Sequence, residues 1–338
     1  MRPNRYYQGP ISAHFDGFRF FNPGLASTDK RLGDMLRWRW QSRGLPRWTG
    51  VPVTKPATVP ALSQAVRVTA IGHASALIQM ADYNLLVDPV WSDRIGPIAH
   101  FGPRRWNAAG IAFDQLPPIH AVLITHNHYD HLDLPTLKKL HASHTFRLLT
   151  PLGNNVIIQR AIPSLSVTCL DWWQADRFDH EALTITLTPA YHWSARGLRD
   201  RRMALWGGFY LQTPQARVYI AGDTAFGAGQ YFRQIHARLG PPDLAILPIG
   251  AYAPRWFMQS VHMNPDEAVQ AMQLLEARRA LGCHWGTFRL TDEAVDEPVD
   301  ALANALTSRG LATQTFEPLY PGQSIVFADK AASGDEAC

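Results

Sequence analysis

A run of nine residues, THNHYDHLD at 125–133, constrains the fold of this chain more than any other feature of its sequence. It places His126, His128, Asp130 and His131 within six residues. Imidazole nitrogen and carboxylate oxygen suit Zn²⁺, and also Fe or Mn, at about 2.0–2.2 Å. Residues two apart in an extended segment point the same way, so we expect His126 and His128 to bind one ion. After the chain turns, we expect Asp130 and His131 to face a second ion.

A two-metal site needs further ligands, and three candidates follow predicted strands downstream. They are His192 in TPAYHW, Asp223 in AGDT and His284 in CHWGT. Each alone would usually be a core histidine or a turn residue, but their order after the metal string favours ligands gathered at one edge of a sheet. The predicted assignment has His126, His128 and His192 on one ion, Asp130, His131 and His284 on the other, and Asp223 as the bridge.

The composition is that of a globular protein. Of 338 residues, 46% are hydrophobic and 18% are charged, which suits a large core and excludes a disordered chain. No run reaches the roughly 18 apolar residues of a membrane helix, and the start of the chain lacks the apolar region of a secretory signal. Three cysteines without a CxxC pair argue against disulfides and a cysteine zinc site. We therefore expect a cytoplasmic protein, peripheral at most to the inner face of the membrane.

Short strand patterns alternate with helical patterns along most of the chain. Strands are predicted at 66–71, 76–80, 84–87, 121–125, 147–150, 167–170, 183–188, 208–212, 217–221, 244–247, 280–283 and 324–327. Helices are predicted at 32–40, 135–141, 229–238, 265–278 and 292–308. Strands lead and helices follow in each half, which predicts an α/β (α+β) fold of two packed sheets with helices outside.

At the metal string and the three later ligands, the sequence resembles the metallo-β-lactamase superfamily. Further segments are similar to the family of phospholipases D that hydrolyse N-acylphosphatidylethanolamine, including its bacterial members. These segments are HFDGFRFFNP (14–23), IGHAS (71–75), DPVWSDR (88–94), LDWWQ (170–174), LWGGFYL (205–211), AGDTAFG (221–227), IGAYAPRWFM (249–258), VHMNPDEAV (261–269) and HWGTF (284–288). The resemblance covers about residues 14–325.

This resemblance implies a four-layer αββα sandwich with two Zn²⁺ ions at one edge. It also implies hydrolysis of a phosphodiester in an N-acylated ethanolamine phospholipid, with release of phosphatidic acid and an N-acylethanolamine. Two ions would lower the pKa of water towards neutrality, which supplies a nucleophile at pH 7. The predicted divisions of the chain are an N-terminal arm or cap at 1–62, a hydrolase domain at 63–328 and a disordered tail at 329–338.

Three acidic or histidine residues have predicted roles beside metal binding. Asp130 is expected to orient the attacking water. His262 lies before a predicted helix start and is expected to contact the substrate phosphate or protonate the leaving alkoxide, with a capping or exposed histidine as the alternative. Asp88, in VDPVW, is expected to fix the tautomer of a ligand histidine, with an ordinary Asp-Pro turn as the alternative. Together, Asp130, Asp223 and His262 form the predicted catalytic set.

Four further residues are predicted to contact the substrate. Tyr129 lies between ligands, and Tyr252, Arg255 and Trp256 belong to the polar and aromatic segment GAYAPRWFM. Arg255 would bind phosphate through two parallel hydrogen bonds, and a structural ion pair is the equal alternative. Packing is the equal alternative for Tyr129. We expect His73, in IGHAS, to be a structural turn residue near the site.

Similar metal ligands serve other reactions, so alternatives stay open. A lactonase or amide hydrolase of a soluble metabolite would keep the metals and change the bond, and an acyl-chain groove would distinguish the two. A nuclease is a third reading, but no lysine-rich arm is present and no nucleic-acid partner is expected. A non-catalytic protein with structural metals is disfavoured because structural sites are closed and usually hold one ion. A redox di-iron site is disfavoured because His128 is retained where flavin-linked relatives carry an acidic residue.

The arm is the candidate for contact with other partners. Residues 1–50 carry nine Lys/Arg against three Asp/Glu, a net charge of +6. Its Arg/Trp segment MLRWRWQSRGLPRW suits an anionic bilayer, whereas packing of the tryptophans on the sandwich is the favoured reading. The sequence leaves a homodimer open.

Overall fold

The fold is described from a computed structural model that covers residues 3–45, 48–53, 58–98, 101–179 and 182–327. The predicted tail at 329–338 lies outside these residues. Within them the chain forms fourteen strands and seven α-helices. The strands are β1 Val66–Gly72, β2 Ser75–Met80, β3 Tyr83–Val87, β4 Ala121–Leu123, β5 Arg147–Pro151, β6 Val167–Leu170, β7 Ala175–Phe178, β8 Leu183–Thr188, β9 Gly208–Gln212, β10 Arg217–Ile220, β11 Leu244–Pro248, β12 Arg279–Cys283, β13 Phe316–Pro318 and β14 Ser324–Phe327. The helices are α1 Leu32–Gln41, α2 Leu134–Ser143, α3 Asn154–Ala161, α4 Gln230–Leu239, α5 Arg255–Met258, α6 Pro265–Leu274 and α7 Glu297–Ser308.

The strands form two seven-stranded mixed sheets among the described residues. The first sheet has the order β14-β1-β2-β3-β4-β5-β6 and the second has the order β13-β12-β11-β10-β9-β8-β7. In the first sheet β3 to β6 are parallel, and in the second β10 to β13 are parallel. The remaining pairs are antiparallel. Parallel strands end at a common edge, so loops that follow them are gathered there.

Apolar side chains fill three interfaces, which produces the four layers. Between the sheets, Leu123 and Leu149 share a cluster with Leu211 and Ile246. The outer face of the first sheet packs on α2 and α3, and that of the second packs on α4, α6 and α7. Each Leu or Ile buried in this way contributes about 1.5–3 kcal/mol relative to exposure. The predicted αββα sandwich is therefore confirmed.

Two predicted helices are shorter than the sequence pattern suggests. The helix expected at 265–278 ends at Leu274, because Glu276 adopts a left-handed φ of 51° and the Ala277 N–H returns to the Met272 carbonyl. The helix expected at 292–308 begins at Glu297. The Glu293 carboxylate accepts the N–H groups of Ala251 and Ala253, so this part of the chain is committed to a distant loop.

Four short elements were not predicted, namely α3, α5, β7 and β13. Each has eight residues or fewer, which is too short for hydrophobic periodicity to stand out. The strand expected at 121–125 ends at Leu123 instead. Beyond it, the Thr125 N–H donates to the Asp88 carboxylate at 2.8 Å rather than to a neighbouring strand.

The arm packs partly on the sandwich. Trp48 is buried and donates its indole N–H to the Glu293 carbonyl at 3.0 Å. Trp38, on α1, stacks on Phe257 with 4.8 Å between ring centroids. Trp40 is exposed. Trp38 and Trp48 therefore pack on the sandwich, as the favoured prediction has it, whereas Trp40 does not. Within the described ranges, no helix has the length and apolar character needed to cross a membrane.

Candidate metal centre

The predicted ligands lie just after the carboxyl ends of strands in both sheets. His126 and its neighbours come after β4, whereas His192, Asp223 and His284 come after β8, β10 and β12. All of them are buried except His128, which is partly exposed. His284 adopts a left-handed φ of 63°, as do Asp88 (40°) and His73 (59°) at the ends of β3 and β1. Non-glycine residues in this region cluster at functional sites, where the surrounding structure enforces them.

The first group contains His126, His128, His192 and Asp223. The His128 Nδ1 atom lies 2.9 Å from His126 Nε2 and 3.3 Å from His192 Nε2. The Asp223 Oδ2 atom lies 3.7 Å from Nε2 of both His126 and His192. Ligands at about 2.0–2.1 Å around a tetrahedral ion are separated by about 3.3 Å. The four atoms therefore have the spacing of one tetrahedral site.

The second group contains Asp130, His131 and His284, again with Asp223. The Asp130 Oδ2 atom lies 3.4 Å from Nε2 of both histidines. His131 Nε2 lies 3.2 Å from Asp223 Oδ2, and His284 Nε2 lies 3.2 Å from Asp223 Oδ1. Asp223 thus presents one carboxylate to both groups, and its role as the bridge between two ions stays a prediction.

The chemistry of these atoms fits metal ions. Among the described residues, several buried polar atoms of the centre have no hydrogen-bond partner, including Nε2 of His131, Nε2 of His284 and Oδ1 of Asp223. Buried polar atoms are normally satisfied, and leaving one unpaired costs about 1–3 kcal/mol. Imidazole nitrogens and carboxylate oxygens that point at one another at these spacings are the ligand set of a borderline cation. The protein therefore contains His/Asp metal-binding groups.

Hydrogen bonds away from the centre fix how two of the imidazoles are used. His131 donates from Nδ1 to the Asp88 carboxylate at 2.7 Å, and His192 donates from Nδ1 to the Val261 carbonyl at 2.9 Å. In both residues Nε2 is left as the lone-pair atom that faces the centre. Asp88 is itself held by the Thr125 N–H and hydroxyl at 2.8 and 2.6 Å. Asp88 thus holds the imidazole of a predicted ligand, and its role in fixing the tautomer of a metal-bound histidine stays a prediction.

Two further histidines adjoin the second group. His73 Nε2 donates to Asp130 Oδ2 at 2.9 Å, and the His73 carbonyl accepts the His284 N–H. The sequence predicted only a structural turn role for His73, whereas His73 contacts the predicted ligand Asp130. Its position directly after β1 could have indicated a place beside the other residues that follow strands. On the other side, His262 Nε2 lies 4.0 Å from Asp223 Oδ2. The His262 Nδ1 atom has no hydrogen-bond partner within the described part of the chain.

Burial and charge divide the histidines into two kinds. Burial lowers the pKa of His128 to about 4 and that of His192 to about 3, so both are neutral imidazoles. Burial also opposes charge on His284, but the carboxylates of Asp223 and Asp130 raise its pKa to about 9. Positive charge is therefore favoured between these two carboxylates. A cation supplies that charge without the proton, since metal ligands must be deprotonated.

Three of the predicted substrate contacts have their polar groups occupied by the protein. Arg255 forms two hydrogen bonds with the Glu267 carboxylate, at 2.9 and 2.8 Å, and a third with the His262 carbonyl. Arg255 thus forms the structural ion pair that was the equal alternative to phosphate binding. The Tyr252 hydroxyl donates to Glu297 at 2.8 Å, and the Tyr129 hydroxyl donates to the Arg196 carbonyl at 2.8 Å.

An aromatic and aliphatic cluster adjoins the first group. Phe257, Met258 and Val261 form its buried part, with Trp38, Trp193 and Trp256 packed against it. The centroids of the Trp193 and His128 rings are 4.4 Å apart. Trp256 therefore belongs to a cluster that reaches the centre, and its contact with substrate stays a prediction. Trp193 was not predicted, although it directly follows the ligand His192 and aromatic neighbours of ligands are natural candidates for substrate contact.

Comparison with known proteins agrees with this geometry. The family described as "Beta-lactamase superfamily domain" matches residues 83–285. An N-acyl-phosphatidylethanolamine-hydrolyzing phospholipase D of Caenorhabditis elegans is 38% identical over 249 residues, which cover 71% of this chain and 70% of the relative. A metal-dependent hydrolase of Pyrobaculum calidifontis is 30% identical over 65% of this chain and 84% of the relative.

Solved structures support the fold. The crystal structure of a possible metal-dependent hydrolase from Veillonella parvula superposes with a TM-score of 0.61 at 16% identity, and covers 78% of this chain and all of that chain. With the ligand groups at the common edge of two packed sheets, the chain belongs to the metallo-β-lactamase superfamily as a metal-dependent hydrolase similar to the phospholipases D that hydrolyse N-acylphosphatidylethanolamine.

Proposed function

We propose that the protein is a two-zinc phosphodiesterase of the phospholipase D type that acts on N-acylphosphatidylethanolamine-like lipids. The observation that carries this proposal is 38% identity over 249 residues, 71% of this chain, to an enzyme named for that reaction. The apolar cluster around Trp193 and Phe257 adds support, because it offers an acyl chain an apolar wall beside the ligands. Zinc is proposed over iron because imidazoles outnumber carboxylates in the ligand groups.

In this reaction the oxygen of water bonds to phosphorus and the bond from phosphorus to the ethanolamine oxygen breaks. Phosphatidic acid and an N-acylethanolamine leave, and the proton of water ends on the alkoxide. Two cations held by the His126 and His131 groups would lower the pKa of water and place positive charge near the phosphoryl oxygens. Neither task requires a serine or cysteine nucleophile.

The residues of the chain then have distinct tasks. Asp223 holds the two ligand groups in register through its two oxygens. Asp130 accepts the His73 N–H, which fixes its carboxylate so that it orients the attacking water. Burial lowers the pKa of His262 to about 3, so its imidazole is neutral and donates a hydrogen bond to a phosphoryl or leaving oxygen. Arg255 positions this histidine through its carbonyl.

The decisive experiment is release of phosphatidic acid and N-acylethanolamine from N-acylphosphatidylethanolamine in mixed micelles. Zinc-loaded protein is compared with Asp130→Asn and His284→Ala, and His141→Ala is the matched control because His141 bonds Ser164 at the surface. Turnover that both centre variants abolish and the control retains supports the proposal. Absence of turnover in protein that holds two zinc ions by elemental analysis overturns the lipid assignment, and soluble esters and lactones are then the substrates to test.

The role of His262 is separable from metal binding. His262→Ala is expected to retain both ions and to lose about 10²-fold in kcat on the lipid, whereas His262→Asn keeps a donor and recovers part of the loss. A 4-nitrophenyl phosphodiester, whose leaving group needs little assistance, should show a smaller effect if the bond is to the leaving oxygen. An equal loss on both substrates places the bond on a phosphoryl oxygen, and no loss on either excludes the role.

A further inference from the structure

Helix α1 presents a stripe of large apolar side chains to solvent. Leu32, Met35, Leu36 and Trp40 are exposed by 72%, 51%, 60% and 67%. Their spacing of three and four residues places them on one face of the helix. None of the ten residues of α1, all of them described, is buried. Scattered exposed apolar residues are ordinary, but a contiguous apolar stripe marks a surface that another phase or molecule covers.

The opposite face of α1 is anchored, so the direction of the stripe is fixed. Trp38 stacks on Phe257 and donates its indole N–H to the Asp292 carboxylate at 2.8 Å. Ser42, at the end of the helix, donates to the same carboxylate at 2.8 Å. At 100° per residue, Trp38 lies across the helix from Leu36 and Trp40. The helix cannot bury its stripe without giving up these contacts.

The charges around the stripe are positive. Arg31, Arg37, Arg39 and Arg43 are exposed. The one acidic residue of the helix, Asp34, accepts the backbone N–H of Arg31 at 3.0 Å. Arginines around an apolar stripe complement anionic lipid headgroups, and tryptophan favours the boundary between headgroups and acyl chains. A second copy of the same helix would place arginine against arginine, so the charge pattern disfavours self-association.

The face of α1 opposite to the stripe adjoins the metal centre. Helix α1 packs on the cluster that contains Phe257 and Trp193, and Trp193 contacts His128. The guanidinium of Arg201 stacks over Trp193 at 3.5 Å and pairs with Asp29, just before α1. Leu198, in the same loop as Arg201, is fully exposed. The ligand loop after β8 and the helix thus form one continuous surface.

We propose that α1 docks the protein on an anionic lipid bilayer, with Leu32, Met35, Leu36 and Trp40 in the boundary between headgroups and acyl chains. The helix lies in the plane of the bilayer and its arginines contact anionic headgroups. The metal centre, on the other side of the helix, is then held near the bilayer that contains the lipid substrate. The inference rests on the proposed function in that a membrane lipid has to be reached, but docking is measurable without turnover.

The test is co-sedimentation of the full chain with vesicles. Phosphatidylcholine vesicles that contain about one quarter phosphatidylglycerol are compared with pure phosphatidylcholine vesicles. Wild-type protein is expected to bind the anionic vesicles and to lose binding as salt rises. Leu36→Glu/Trp40→Glu is expected to reduce the partition coefficient about tenfold or more, and Arg39→Gln/Arg43→Gln to remove the preference for phosphatidylglycerol.

The matched control is Leu62→Glu. Leu62 is 46% exposed and precedes β1, at the end of that strand opposite to His73. This variant is expected to bind as wild type does, and unchanged thermal unfolding and metal content show that each variant is folded.

Three results overturn the inference: wild-type protein that does not bind anionic vesicles, equal binding by Leu36→Glu/Trp40→Glu, or a dimer in solution that this variant converts to a monomer. The last result would assign the stripe to a second copy of the chain. Docking without lipid hydrolysis would refute the proposed function alone, and hydrolysis in micelles without docking on vesicles would refute only the inference.

Discussion

At the scale of single residues, two carboxylates determine how the imidazoles of the centre are used. Asp88 lies outside the ligand groups and accepts from His131 Nδ1, which reserves Nε2 for an ion. Asp223 lies between the groups and faces imidazoles of both. One carboxylate therefore sets a tautomer and the other joins two sites. Substitutions of Asp88 and Asp223 should therefore affect metal binding in different ways.

Substitution of Asp88 by Asn should weaken metal binding without removing a ligand. The Thr125 hydroxyl and His131 Nδ1–H both donate to Asp88 Oδ2, and an amide NH₂ at that position would face two donors. We expect a 10–100-fold loss of zinc affinity, measured by competition with a chromogenic chelator. Asp93→Asn, at an exposed position of the following loop, is the control. Equal affinities for the two variants would contradict a role in orienting His131.

Loss of Asp223 should affect both ions, whereas loss of His192 should affect one. Asp223→Ala removes the oxygens that face both groups, and His192→Ala removes a nitrogen from the first group only. Elemental analysis after dialysis is expected to find close to no bound zinc in the first variant and about one ion per chain in the second. Two ions retained by Asp223→Ala would refute the bridge.

At the scale of elements, the centre depends on the loop at the carboxyl end of each strand. Gly222, between β10 and Asp223, has a φ of 62°, and a Cβ there would lie 2.9 Å from the Thr125 side chain. The chain after β10 therefore passes close to the chain after β4 only because residue 222 lacks a side chain.

The segment after α5 is fixed differently, by the capping box of α6. Asn264 accepts the Glu267 N–H at 2.8 Å, and the Glu267 carboxylate accepts the Asn264 N–H at 3.0 Å.

Glu267 should matter for stability more than its half-exposed neighbour Asp266 does. Its carboxylate caps α6 and also binds Arg255, which in turn holds the His262 carbonyl. We expect Glu267→Gln to lower the free energy of unfolding by about 1 kcal/mol, measured with urea. Asp266→Asn changes the same charge in the same helical turn and loses mainly a half-exposed pair with Arg309, so we expect a smaller effect. An equal loss in both variants would show that only the helix-terminal charge matters.

At the scale of the whole molecule, the two sheets meet at the edge that carries the ligands. His126 and Asp130 come from the first sheet, and His192, Asp223 and His284 come from the second. Each ligand group therefore contains residues from both sheets. An ion bound by either group holds the two sheets together at this edge, and its binding free energy adds to that of folding.

Metal removal should accordingly lower the melting temperature of the whole protein. Each tenfold excess of free zinc over its dissociation constant stabilises the native state by about 1.4 kcal/mol. We expect the Tm to fall by several degrees in a chelator and to recover when zinc is restored, measured by calorimetry. The variant His126→Ala/His284→Ala, with one ligand removed from each group, should have a Tm that responds much less to the chelator. A wild-type Tm that is insensitive to chelator would contradict a centre shared by the sheets.

The sequence by itself indicated which histidines and aspartates come together, and it determined the layers of this protein. The ligands come after short apolar runs, and strand ends can be read from local patterns such as the run before His126. Alternating strand and helix patterns likewise predicted two sheets with helices outside, because each apolar face must be buried against another layer. The histidines and aspartates selected by local spacing therefore also lie together in the structure, and their role as metal ligands stays a prediction.

Only the tertiary structure decided the partners of the side chains around those ligands. His73 meets Asp130 across 57 residues, and Tyr252 meets Glu297 across 45. The apolar stripe of α1 was equally hidden, since its spacing does not reveal that Trp38 anchors the other face. Local periodicity records which face of an element is apolar, but not which distant group it meets. That choice depends on how the two sheets and the arm pack, a property of the whole chain.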